Sequence, residues 1–247
     1  MPLATSGEKL DELQVGSANR KDQDDHPRFA CDRVCFYRLP RVQAALPGPA
    51  EVIRKATTDD VPRLAKALAL AFYDDPVFKW LVPNDSERIR RSEHGFAFYL
   101  RKVYLPHDEC YATEGLGGAA LWLPPEKWHL GPLAQLRLAP GMIAALGPRL
   151  PQVLRAISTI ESNHPRKPHY YLPFVGVEPE LQGRGIGTAL LLPVLERCDQ
   201  QGTPAYLEAT TPRNRACYER QRFEVTEEFR FPKGGPPSWR MWREPRA

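Results

Sequence analysis

Apolar and polar positions along the chain change period several times, and each change marks an element. Val52-Ile53-Arg54-Lys55-Ala56 reads as a short strand. Thr58-Asp59-Asp60 then offers oxygens suited to a helix N-cap, and Pro62 falls in a first turn, where its missing N–H costs nothing. Leu64, Leu68, Ala71 and Phe72 follow at helical spacing until Asp74-Asp75-Pro76 interrupts them. A second short helix is expected through Phe78 and Leu81 to Pro83. A third is expected from Ser86 to Pro106, carrying Ile89, Phe96, Tyr99, Leu100 and Val103.

Glu109–Thr113 and Gly117–Leu123 read as a hairpin turning at Glu114-Gly115, and Pro124-Pro125 ends it. Residues 126–163 read as two or three helices, with breaks at Gly131-Pro132, Pro140-Gly141 and Gly147-Pro148. His169 to Val177 is the next strand. A glycine-rich turn follows, then a helical run from Thr188 that Gly202 closes as a C′ residue. Ala205–Thr210 is strand-like, Asn214–Gln221 a short helix, and Phe223–Phe229 with Trp239–Trp242 a final pair of strands.

Residues 1–49 lack such a pattern, and a stretch such as Lys21-Asp22-Gln23-Asp24-Asp25-His26-Pro27 has a composition that suits disorder. The expected division is therefore an extension over 1–49 and one domain over 50–247. A hydrophobic share of 42% supports a sizeable core, and a net charge of +4 spread along the chain gives no nucleic-acid surface. The five cysteines are odd in number and scattered, as in a reducing compartment. Cys31 and Cys35 near His26 form an incomplete ligand set, so no metal is expected. The sequence begins without a basic-then-apolar signal pattern and has no apolar run long enough to span a bilayer. These features lead to the expectation of a cytoplasmic protein without a membrane partner, as monomer or homodimer.

The densest chemical signal is Gln182-Gly183-Arg184-Gly185-Ile186-Gly187, between the apolar run Tyr170–Val177 and the following helix. A strand, a glycine turn and a helix N-terminus in this order build an anion cradle. Glycines allow positive φ and close backbone approach, and the first helical N–H groups have no intrahelical partner. There is no Gly-Lys-Ser/Thr ending, which excludes a nucleoside-triphosphatase loop. The glycine spacing also differs from the dinucleotide fingerprint.

The remaining pattern, Q/R-x-x-G-x-G/A, resembles the pyrophosphate loop of the GNAT superfamily of N-acetyltransferases. Phe174-Val175-Gly176-Val177-Glu178-Pro179 before the loop is similar to that superfamily's GV-x-P, and Asn214-x-x-x-Tyr218 with Phe223 to its N-x-x-x-Y-x-x-x-G-F. The position before Phe223 departs from the pattern: it is Arg222, where the family has glycine. A different turn is one way for Arg222 to avoid a left-handed backbone. Thr58–Arg63, Leu191-Leu192-Pro193, Tyr206-Leu207-Glu208 and Trp239–Pro245 most resemble puromycin N-acetyltransferase-like proteins of actinobacteria. The resemblance covers about Val52 to Pro245. It implies an α/β fold (α+β mixed sheet): a twisted, mostly antiparallel sheet of about seven strands flanked by helices, with an extra helical segment between the third and fourth strands.

The resemblance also implies acetyl-CoA as cosubstrate. Gln182, Gly183, Arg184, Gly185, Ile186, Gly187 and Thr188 would hold its pyrophosphate. Val175, Gly176 and Val177 would line its pantetheine arm, and Asn214 would join the site. Tyr218 matches the tyrosine that protonates the departing thiolate. An amine attacks a thioester only as the free base, so a proton acceptor is needed. Glu208, inside an apolar strand, and Glu161, before the cofactor strand, rank ahead of His164 and His169, with ordered water as the remaining candidate. Phe72, Asp75 and Trp80, with Tyr73 and Phe78 and the 126–163 helices, are candidates for the acceptor pocket. Aromatic packing and a turn at Asp75-Pro76 account for the same residues without a ligand. The expected reaction moves an acetyl group to a primary amine of a small molecule by direct attack in a ternary complex. An antibiotic such as a puromycin-like aminonucleoside is one candidate acceptor. A protein lysine or N-terminal amine, or a non-catalytic acyl-CoA-binding role, are the alternatives.

Overall fold

The computed structural model describes residues 51–129, 131–162 and 164–246. The expected extension over 1–49, with His26, Cys31 and Cys35, lies outside the described residues. Seven strands make one sheet: β1 (Ile53–Lys55), β2 (Cys110–Thr113), β3 (Gly118–Leu123), β4 (Tyr170–Val177), β5 (Ala205–Ala209), β6 (Glu224–Arg230) and β7 (Pro237–Arg243). Their spatial order is β1-β2-β3-β4-β5-β7-β6. Only β4 and β5 pair in parallel, while the other neighbours are antiparallel. The helices are α1 (Val61–Ala71), α2 (Pro76–Leu81), α3 (Asp85–Tyr99), α4 (Pro132–Leu146), α5 (Leu150–Ser162), α6 (Ile186–Gln201) and α7 (Pro212–Glu219). The expected mixed sheet is present, and α4 with α5 form the extra segment between its third and fourth strands.

Strand alternation divides the core into two layers. On one face Ala119, Leu121, Tyr171 and Tyr206 pack with Leu64 and Leu68 of α1 and Phe96 of α3. On the other, Ala120, Trp122, Leu172, Leu207 and Met241 pack with Leu190, Leu191 and Val194 of α6. Gly176 sets how closely α1 approaches β4, because a Cβ there would lie 2.9 Å from that of Ala71.

Four local expectations need correction. Asp60 stands at the N-cap of α1 without a side-chain capping bond. Its carboxylate is taken by Arg54 (2.7 and 2.9 Å) and by the Thr57 N–H (2.8 Å). A bidentate ion pair is the stronger use of those oxygens. Pro140-Gly141 does not break the chain, since α4 runs through it. Gly141 lies against the Phe98 ring, where a Cβ would come within 2.2 Å, so packing on α3 holds a helix that proline alone disfavours by about 3 kcal/mol. The helix after the glycine turn begins at Ile186, two residues before the predicted start. The third helix stays α-helical only to Tyr99, and then passes through a π turn over Leu100–Tyr104.

Candidate active site

The site begins with a defect in pairing. β3 and β4 pair from Gly118↔Val177 to Leu121↔Phe174, then again at Leu123↔Tyr171. Two steps along β3 thus match three along β4, so β4 carries one extra residue in the Leu172-Pro173 stretch. A bulge of this kind bends its strand. Consistently, β4 pairs with β5 only over Tyr170–Leu172. Beyond that point β4 continues to Val177 and β5 to Ala209 without pairing to each other. The main-chain groups of β4 that face this opening can pair with an extended amide-containing ligand, as an added strand does.

The glycine turn lies beyond the end of β4. Gly183 and Gly185 have φ of 79° and 81°, a region that side-chain-bearing residues disfavour. Ideal Cβ positions on Gly183, Gly185 and Gly187 meet no atom within 4 Å, so the turn is open on its outer side. The bond from Ala189 N–H to Gly185 O (3.0 Å) starts the helix. The preceding N–H groups of Ile186, Gly187 and Thr188 have no partner among the described residues. Gln182 Nε2 donates to Val177 O (3.0 Å), which closes the turn onto β4. Arg184 Nη2 donates to Glu180 O (3.0 Å) and remains exposed. Arg63 of α1 grips Glu178 through two bonds of 2.7 and 2.8 Å, tying α1 to the start of the turn. Free N–H donors at a helix N-terminus, next to an unpaired strand edge, fit the pyrophosphate and pantetheine arm of CoA.

Glu208 lies on β5 opposite Arg240 of β7. Tyr171 donates its hydroxyl to Glu208 Oε2 at 2.8 Å, while Oε1 is buried without a partner. Burial pushes this carboxyl up to about 7, against the hydrogen bond of Tyr171, the nearby Tyr206 hydroxyl and the charge of Arg240. Three further buried atoms near this carboxyl or its partners also lack partners: Tyr206 Oη, His164 Nδ1 and Arg240 Nε. His164 and His169 bond through their Nε2 atoms at 3.0 Å, and His169 Nδ1 donates to Lys167 O at 2.6 Å. That donation leaves His169 Nε2 as acceptor and His164 Nε2 as donor. Burial lowers His164 to about 3 and His169 below its usual value, so both rings are neutral near pH 7 and His164 is a poor base. Glu161 is on α5, with its carboxylate 3.6 Å from His129 Nδ1. No described contact joins it to Glu208 or Tyr218.

At the end of β5, Thr210 donates to Asp75 Oδ2, while Asp75 Oδ1 accepts from Val77 N–H (2.8 Å) and Phe78 N–H (3.2 Å). Asp75 is the N-cap of α2 and links that helix to the open side of β5. Burial raises its carboxyl, against these three bonds. Tyr218 projects from α7, half-buried, with its ring 6.1 Å from Phe223. Burial raises its phenol, with smaller contributions from Cys217 and Asp75, so it stays protonated at neutral pH. Asn214 N–H is capped by Thr211 Oγ1 at 3.1 Å.

Phe72 packs against Phe78, Phe96 and Phe174 at centroid distances of 4.9, 5.7 and 5.6 Å. Trp80 packs elsewhere, 5.5 Å from Phe231. Beside Phe174 is an apolar-lined cavity of about 110 Å³, bounded by α2, α3, α4, α5 and β4. Neither Phe72 nor Trp80 lines it, while Phe78 does. Sequence reasoning did not single out Tyr171, Tyr206 or Arg240 as partners of Glu208, nor the bulge. Pro173 inside an otherwise regular strand was the available signal for the bulge.

Arg222 has φ of 68°, so it adopts the left-handed backbone rather than avoiding it. The bond from Phe223 N–H to Tyr218 O (3.1 Å) and the burial of Phe223 hold it there.

Among the described residues, no group of three His, Cys, Asp or Glu side chains is placed to hold a metal ion, and no helix is long and apolar enough to cross a membrane.

The sequence model of the Acetyltransferase (GNAT) family matches residues 120–223, from β3 through the glycine turn to the start of β6. An uncharacterized N-acetyltransferase of Schizosaccharomyces pombe is 25% identical over 185 residues, 67% of this chain and 71% of that protein. A crystal structure described as histone acetyltransferase HPA2 and related acetyltransferase, from Corynebacterium glutamicum, superposes with a TM-score of 0.63 and 24% identity over 80% of this chain and 97% of its own. A polyamine N-acetyltransferase of Drosophila melanogaster, which forms N-acetylagmatine, superposes at 0.51 with 15% identity, over 78% of this chain and 99% of its own. The parted β4 and β5 strands and the glycine turn that follows β4 thus lie within the stretch that is similar to the GNAT family of acetyltransferases.

Proposed function

We propose that this acetyltransferase moves an acetyl group from acetyl-CoA to the primary amine of a small molecule, within one ternary complex. The observation that carries this reading is the opening between β4 and β5, with an anion cradle beyond one strand and Glu208 on the other. When bound, acetyl-CoA supplies an acyl carbon activated as a thioester. The N–H groups of Ile186, Gly187 and Thr188 and the turn glycines hold the pyrophosphate, and the free edge of Val175–Val177 aligns the pantetheine amides. Glu208 Oε1 accepts the proton of the incoming ammonium, directly or through ordered water, and Tyr171 fixes the carboxylate through Oε2. A carboxyl near 7 is well matched to that transfer at neutral pH. Tyr218 Oη, held protonated, donates to the departing sulfur. Glu161, facing His129, has weaker support as the base. An antibiotic acceptor such as a puromycin-like aminonucleoside is a narrower form of this reading, supported by the sequence strings quoted above.

The test is a thiol-release assay with acetyl-CoA over a panel of amines, run on the parent protein and on Tyr218→Phe. Release with at least one amine is expected, together with a drop in kcat of about 10²-fold in the variant, within the usual range for a general acid. An unchanged kcat removes Tyr218 from the proton transfer. Tight acetyl-CoA binding with no release for any amine removes the transfer itself.

A further inference from the structure

Helix α4 is apolar all round, yet the domain covers only one of its faces. Gln135 and Arg137 are its only polar side chains. A helix of this composition is ordinarily buried on every side. Its inner face is: Met142 is buried, Leu138 packs on the core, Gly141 lies against the Phe98 ring, and Leu146 lies beside Gly95 of α3. Its outer face is not. Leu136 and Ile143 are 71% and 57% exposed, and Pro140 and Ala144 are exposed with them. Residues spaced by three and four form one stripe along a helix. A single exposed leucine is ordinary, whereas a continuous aliphatic stripe marks a surface that something covers. The next helix, α5, adds Leu154 at 46% exposure and exposed Arg155.

Charge indicates the cover. From Lys127 to Ile160 the chain has no aspartate or glutamate, while Lys127, Arg137, Arg149 and Arg155 are cations. Arg137, exposed at the flank of the stripe, makes no ion pair among the described residues, and neither do Arg149 and Arg155. Glu87 of α3, in the field of Arg149, is already matched by Arg91 at 2.7 Å. Aliphatic side chains flanked by unmatched guanidiniums are what a helix lying in an anionic lipid interface presents. A second copy of the chain is a poorer match, because a two-fold contact brings two acid-free cationic patches together. A protein partner is also poorer, because the stripe lacks the aromatic anchors of protein interfaces.

We infer that α4 docks this protein on an anionic lipid surface. The helix lies in the plane of the interface, with Leu136 and Ile143 in the acyl boundary and Arg137 at the level of the phosphates. A surface helix needs no spanning run, the feature whose absence led to the expectation of no membrane partner. Docking is independent of acetyl transfer, and its test contains no acetyl-CoA.

The full chain is sedimented with vesicles of phosphatidylcholine, alone or mixed with phosphatidylserine. Binding to the mixed vesicles should exceed binding to phosphatidylcholine by about tenfold and weaken as salt is raised. Leu136→Ser with Ile143→Ser should reduce binding to the mixed vesicles by about tenfold or more, with the thermal midpoint unchanged because both side chains are exposed. Arg137→Glu with Arg155→Glu should abolish the preference for phosphatidylserine. Absence of binding to either vesicle overturns the inference. Binding that responds to the arginines but not to Leu136 and Ile143 also overturns it, since that is adsorption by charge alone. A parent dimer that the serine variant dissociates makes the stripe an interface between copies. Binding of poly-glutamate without vesicle binding, lost in the serine variant, assigns the stripe to an acidic protein. Either of these last two results replaces the lipid surface.

Discussion

At Glu208 one cause has two consequences. Burial raises its carboxyl from the usual 4.5 to about 7, so the fold prefers the protonated form. Stability associated with this group is complete below about pH 4.5, where folded and unfolded chains are both protonated. It declines as pH rises and is lost once pH passes about 7. A shift of this size corresponds to about 3 kcal/mol. Glu208→Gln should therefore be more stable than the parent at pH 8 and closer to it at pH 4.5, as measured by urea melts at both values. In the same variant kcat/KM should lose its rise through pH 7, because the base must be ionised to act. An unaltered pH–rate profile would assign the base elsewhere. Arg222 offers a test of strain alone. Its left-handed backbone costs a side-chain-bearing residue about 1 kcal/mol. Arg222→Gly should raise the thermal midpoint by a few degrees without changing kcat, and a fall in the midpoint would show that the turn carries no such strain.

Among the elements, the parting of β4 and β5 matters most, and it was the part least legible in the sequence. Tyr170–Val177 reads as a strand because its residues are apolar. Nothing in that pattern says that Leu172 pairs with β5 while Val175 does not. The proline at 173 marks the place, but register is decided by which residues lie across the sheet, a relation that periodicity along one strand does not contain. The glycine turn was legible because its chemistry is local: three glycines and a helix start suffice to describe it. Asp60 and Pro140 show the opposite case. Each obeys a local rule that a distant partner overrides, Arg54 for the first and Phe98 for the second. The turn supports its own prediction. Gly185 is at φ 81° with open space at its Cβ position, so Gly185→Ala meets strain without a clash. The cost should be about 1 kcal/mol of stability, and the displaced N–H groups should weaken acetyl-CoA binding roughly tenfold, equal to about 1.4 kcal/mol. Calorimetry with acetyl-CoA measures the second effect. Unchanged affinity would show that the phosphates bind elsewhere.

For the molecule as a whole, the question is whether the domain from residue 50 onward is a self-sufficient folding unit. Both faces of its sheet are covered by its own helices, α1 and α3 on one side and α6 on the other. Its two edge strands are also guarded by charge. On β1, Arg54 is paired with Asp60 and Glu114, and Lys55 with Asp108. On β6, Glu224, Glu227, Glu228 and Arg230 are exposed. Short or charged edges resist pairing with other chains, so neither edge calls for a further strand to cover it. Each group assigned to acetyl transfer also falls after residue 50, from Tyr171 on β4 to Tyr218 on α7. A chain beginning at residue 50 should accordingly unfold in one cooperative transition within about two degrees of the full chain and keep its kcat. A melting point lower by ten degrees, or transfer lost while acetyl-CoA still binds, would place part of the core or of the acceptor site in residues 1–49.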